Sequence, residues 1–175
     1  MHELVDACAA RRPHPDWARI RALDWDGDVE HVARWFGTIV AASPPGPAGV
    51  ESVYFGLNNP VLDNGDTSAG MYVIGYAAHD EEWAGKLVWN RDGKEADSPV
   101  LHALYAIAYG HDGGLENDAE YPILLGYAGL VVRELGRRFA GRLVGLTLRT
   151  GFDCGDILRV GAATESGFVL DVAWA

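Results

Sequence analysis

Cysteine is nearly absent: Cys8 and Cys154 are the only two in 175 residues, and they stand near opposite ends of the chain. Two such residues do not build the dense disulfide framework of a small secreted domain, so both read as reduced structural cysteines. Asp153 and Asp156 flank Cys154 with negative charge, which raises a thiol pKa and argues against a nucleophile there. Long apolar runs are missing too. The best of them, YPILLGYAGLVV, stops after 12 residues at Arg133, short of the roughly 18 that a membrane span needs. The first residues, MHELVDACAARR, carry acids where a secretion signal has bases, and they hold no continuous apolar segment. A soluble, cytoplasmic protein is the expectation.

Catalytic signatures are lacking as well. The chain has no GxSxG elbow, Walker loop, GxGxxG fingerprint, HExxH helix or CxxC pair. Its six histidines, at positions 2, 14, 31, 79, 102 and 111, are scattered rather than set at metal-ligand spacing. A zinc or general-base site would require His79, His102 and His111 to meet in space with Asp80 or Asp112. That convergence defines the alternative reading, a small hydrolase or metal-dependent enzyme using dispersed His and Asp residues.

Positive charge is scarce: 14 Lys and Arg stand against 25 Asp and Glu, a formal net charge of −11. Such a field repels nucleic acid and anionic membranes, and it speeds the approach of a basic protein in a salt-dependent way. The acids are unevenly spread. Between Asp63 and Glu120 there are 12 acids and three bases, whereas between Arg133 and Arg159 six arginines face three acids.

Hydrophobic residues are plentiful, at 49% with 10% aromatic, enough for a chain of this length to bury one core. A single globular domain over residues 1–175 is expected. ELVDACAARR has helical spacing and is ended by PHP; a second short helix starts with Asp16 as N-cap and buries Trp17 and Ile20. A third places Val29, Val32, Ala33, Phe36, Ile39 and Val40 on one face, until SPPGPAG breaks the chain. ESVYFGLN, MYVIGYA and KLVWN then read as strands. SPVLHALYAIAYG predicts a helix capped by Ser98, with Pro99 at its first position and Gly110 as terminator. A long buried helix follows from about Tyr121 to Phe139, with Gly126 and Gly129 where close packing is needed. RLVGLTLRT, DILRVGAA and GFVLDVAW return to strand pattern, the last two joined through TESG. The order predicts an α+β fold with an N-terminal helical segment and a mainly antiparallel sheet of about five or six strands packed with helices.

The run DWDGDVEH invites a test for metal binding, with Asp24, Asp26, Asp28 and Glu30 at alternate positions. A calcium loop starting at Asp24 needs glycine at its sixth position and glutamate at its twelfth, where this chain has Val29 and Trp35. The register fails. Helix capping by Asp28, with Glu30 at the positive end of the helix dipole, accounts for the run instead. DNGD at 63–66 reads as a turn and the acids 116–120 as a solvated loop-to-helix junction. No cofactor is expected. The sharper reading of the acidic middle is a docking surface for a basic protein. In it Trp83, Trp89 and Tyr121 are anchors, the alternative being that these aromatics belong to the core, and Asp80, Glu81, Glu82, Glu116, Asp118 and Glu120 guide a cationic partner.

The segments VYFGLNNP, GMYVIGYA, EYPILLGYAGL and ILRVGAATESGFVLDVAWA, taken with the chain's size and acidity, give it a resemblance to the small cytoplasmic immunity proteins that neutralise bacterial polymorphic toxins. The resemblance implies a noncatalytic inhibitor that binds a toxin domain directly, commonly across its active site, without a cofactor. It transfers no numbered residue, because immunity proteins have diverse folds and binding surfaces.

Overall fold

Three helices open the chain. The structure is a computed structural model and describes residues 1–45, 49–77, 87–90, 95–153 and 155–174. Helix α1 (His2–Arg11) buries Val5. In α2 (Asp16–Arg21), Trp17 and Ile20 turn into the core, and the Trp17 indole donates to the Arg12 carbonyl at 2.7 Å. Pro15, not Asp16, occupies the N-cap position of α2. Asp16 is instead the first helical residue, and its carboxylate accepts from Arg19 and meets His111.

Helix α3 (Trp25–Ala42) starts earlier than its apolar face suggests, because Asp24 accepts the Gly27 N–H at 3.1 Å and so caps it. Val32, Ala33, Phe36, Ile39 and Val40 are buried as the spacing predicts.

Among the described residues the sheet contains seven strands: β1 (Ser52–Asn58), β2 (Gly70–Tyr76), β3 (Leu87–Trp89), β4 (Glu95–Ala96), β5 (Thr147–Phe152), β6 (Ile157–Thr164) and β7 (Gly167–Trp174). Their order is β3-β2-β1-β5-β6-β7, with β4 also paired to β2. All pairings are antiparallel except β1 with β5. That one parallel pair arises because the chain leaves the sheet after β4 and returns through α4 (Pro99–Tyr109) and α5 (Asn117–Phe139) before β5 begins. The fold is α+β, with a mostly antiparallel sheet covered by helices.

Helix α5 lies against β1, β5, β6 and β7 and also touches α1, α3 and α4. Its residues Ile123, Leu124, Ala128, Val131, Val132 and Leu135 are buried with Val53, Phe55 and Leu57 of β1. Phe36 joins the layers, its ring 5.1 Å from Phe55 and 5.3 Å from Phe139. Tyr54, Ile74, Tyr76 and Ile157 form a second, smaller apolar cluster. Among the described residues, no helix is long and apolar enough to cross a membrane.

Candidate functional site

The acidic run that opens α3 is divided among three structural jobs. Asp24 caps the helix, as above. Asp28 lies one turn inside it and is buried, so it does not cap its own helix as the sequence suggests. Its carboxylate accepts from the Ser98 hydroxyl at 2.7 Å, from the Val100 N–H at 3.3 Å and from the Tyr127 hydroxyl. Asp28 therefore ties α3 to the start of α4 and to the middle of α5, where burial and then this hydrogen bond push the Tyr127 phenol pKa upward. Glu30 pairs with Arg138 of α5, which holds its carboxyl below the usual range against the opposing effect of burial.

A different group of carboxylates collects at one end of the sheet. The parallel register sets Leu57 beside Phe152, so β1 and β5 finish together. β2 begins at this end, since Asn58 pairs with Gly70, and β4 joins it through Tyr72 and Glu95. The β5–β6 turn adds Asp153 and Asp156, which accept from the hydroxyls of Tyr72 and Tyr121. The Tyr121 ring stacks on Phe152 with centroids 5.3 Å apart. The loop after β1 adds Asp63 and Asp66, and the start of α5 adds Glu116 and Asp118; all six of these loop, turn and helix-start acids are exposed, as is Glu95. Asp118 is paired with Arg12, whose guanidinium also donates to the carbonyls of Leu115 at 2.8 Å and Gly114 at 3.0 Å.

Two of the expected contact residues face inward. Trp89 is buried and its indole donates to the Ser43 carbonyl at 2.8 Å, so it serves the core rather than a partner. Glu120 is also buried, accepting from Asn59 at 2.6 Å and from the Tyr109 hydroxyl at 2.6 Å. The helix begins at Asn117, a turn before its expected start, and this aims Glu120 at the loop after β1. Glu116, Asp118 and the half-buried Tyr121 remain on the surface. Asp80, Glu81, Glu82 and Trp83 lie outside the described residues. Asp153, Asp156 and Tyr72 were not expected at this end; they reach it only through the pairing of strands distant in sequence.

The histidines take separate places. His102 meets the buried Ser68 hydroxyl through Nδ1. His111 Nε2 lies 2.8 Å from Asp16 Oδ2, and its ring stacks on His14 with centroids 6.0 Å apart. The Asp16 bond, helped by the Asp112 carbonyl, raises the His111 pKa, and the same bond lowers that of Asp16. His79 and Cys154 lie outside the described residues, among which no three His, Cys, Asp or Glu side chains are grouped to hold a metal. Cys8 carries a free thiol whose pKa burial pushes up, opposed by Arg11. Comparison of the chain with family models, curated proteins and solved structures finds no match.

Proposed function

We propose that the protein is a noncatalytic binding protein, and that it docks on a basic protein through the acidic end of its sheet. The observation that carries this reading is the gathering of Asp63, Asp66, Glu95, Glu116, Asp118, Asp153 and Asp156 at one end, beside Tyr72 and Tyr121. Tyrosine supplies contact area at small entropic cost, and convergent carboxylates steer and orient a cationic surface. The opposite end, where α5 finishes, carries the exposed Arg137 and Arg142. An inhibitor of immunity type, acting in the cytoplasm and covering the active cleft of a basic toxin domain, is the use that this shape and charge serve best.

The test is affinity capture from the native host at low and at high salt. The double variant Asp63→Lys with Glu116→Lys reverses charge where neither side chain holds the fold together. Glu3→Lys with Asp26→Lys makes the same change of charge beside the cleft shared by the starts of α1 and α3. The wild type is expected to retain a stoichiometric basic protein at low salt and to release it at about 0.5 M salt. The acidic-end variant should weaken that binding about tenfold or more, and the control variant should have little effect. Failure to retain a basic protein, or equal retention by both variants, rejects the reading.

A further inference from the structure

The two edges of the sheet are finished differently. On one side β3 and β4 are three and two residues long among the described residues, and short strands offer little template to another chain. On the other side β7 runs for eight residues and, among the described residues, pairs only with β6. Val169, Leu170, Val172 and Trp174 are exposed by 51%, 55%, 59% and 66%. The strand has neither lysine nor proline to discourage pairing, and its single charge, Asp171, is matched by Arg159 of the same chain at 2.6 Å. The ladder to β6 shifts register between Leu170 and Ala173, which leaves Gly167–Leu170 as a regular run.

Charge along this edge decides what fits it. The start of β7 lies beside the 3₁₀ turn Ala140–Arg142 and the last turn of α5, where Arg137 and Arg142 are exposed and Glu165 is the acid in the adjoining hairpin turn. The end of β7 pairs with the start of β6, which Asp156 precedes. A parallel neighbour would place acids on acids. An antiparallel one sets the arginine-bearing end of each copy against the Asp156 end of the other.

We infer that β7 pairs antiparallel with β7 of a second copy of this chain, about a two-fold axis, so that one sheet runs through both copies. Such an interface is isologous, and the same surface supplies both halves. It satisfies the outer backbone groups of the strand and gives its exposed apolar side chains cross-strand neighbours in the second copy. The inference rests on β7 and on the charges beside its two ends, Arg137, Arg142 and Asp156, and it does not depend on the acidic end binding a partner.

The test is the solution mass over micromolar to submillimolar concentrations, by light scattering and sedimentation. Wild type is expected at twice 18.9 kDa. Leu170→Lys and Val172→Lys, both at exposed positions, should weaken the dimer at least about tenfold, whereas Val61→Lys, in the loop after β1, should leave it intact. Arg142→Glu should weaken association several-fold, and adding Asp156→Arg should recover most of the loss. A wild type that stays at 18.9 kDa, or a dimer indifferent to both β7 variants, overturns the inference. A dimer indifferent to Arg142→Glu overturns its antiparallel setting.

Discussion

Asp28 illustrates how a single residue changes meaning between sequence and structure. Its type and its place near a helix start were legible, and so was its role as an acceptor of backbone N–H groups. What was not legible is that the capped helix is another one: Asp24 captures the start of α3, and Asp28 is left facing Ser98 and Val100 of α4. Asp28→Ala would strand three buried donors on two helices, α4 and α5, and is expected to cost about 2–4 kcal/mol of stability, measured by urea unfolding. A loss similar to that of an exposed residue such as Asp26 would show that the three bonds are not formed together.

The Asp16–His111 contact makes a second prediction at this scale. The lowered Asp16 pKa contributes stability that is present above the unfolded value and is lost as pH falls through the folded one. The raised His111 pKa contributes stability that is complete below its unfolded value of about 6.5 and is lost as pH rises through the folded value. The pair is therefore most effective in weakly acidic solution. Thermal melts of the wild type should lose more stability between about pH 6 and pH 8 than those of His111→Gln. Parallel curves for the two proteins would remove His111 as the cause.

At the scale of elements, α4 was readable in full, since Ser98, Pro99 and the buried Val100, Leu101, Leu104 and Ile107 carry their own start signal and face. β1, β2, β6 and β7 were equally plain. The start of β5 was not. RLVGLTLRT has strand composition throughout, yet Leu143 and Leu146 reach the core from a turn in which Gly145 has φ +85°, and pairing begins only at Thr147. β4 could not be read either, because two residues carry no period.

The glycines of α5 separate by their neighbours. A Cβ on Gly129 would stand 3.7 Å from Leu158, an ordinary contact, whereas one on Gly136 would meet the Phe168 ring at 2.6 Å. Gly129→Ala should thus be neutral or add up to about 1 kcal/mol through helix propensity. Gly136→Ala should cost about 1–3 kcal/mol through crowding against β7. Denaturant midpoints of the two variants should move in different directions, and a common shift would contradict the packing of α5 on the sheet.

At the scale of the whole molecule, the acid excess was legible as a number and its arrangement was not. Glu116, Asp118 and Tyr121 could be placed together because they are consecutive in one junction. Asp153 and Asp156 join them only because β5 lies parallel to β1, which no local pattern announces. The net charge of −11 also acts on the fold itself, since like charges on a compact body repel and salt screens them. Scanning calorimetry should accordingly show the melting temperature rising as monovalent salt is added to dilute buffer. A steady fall would mean that ion pairs such as Glu30–Arg138 outweigh the general repulsion.

The seating of β5 beside β1 has a further consequence for how the chain is made. Thr150 donates to the Phe55 carbonyl across 95 residues, and Tyr54 donates to the Gly151 carbonyl across 97. During synthesis, β1 can pair with β2 soon after both leave the ribosome, but its other side waits until both long helices have been translated. Throughout that interval the outer edge of β1 lacks its partner, and a chain interrupted before Thr147 would leave the backbone N–H and C=O groups of that edge open to its neighbours.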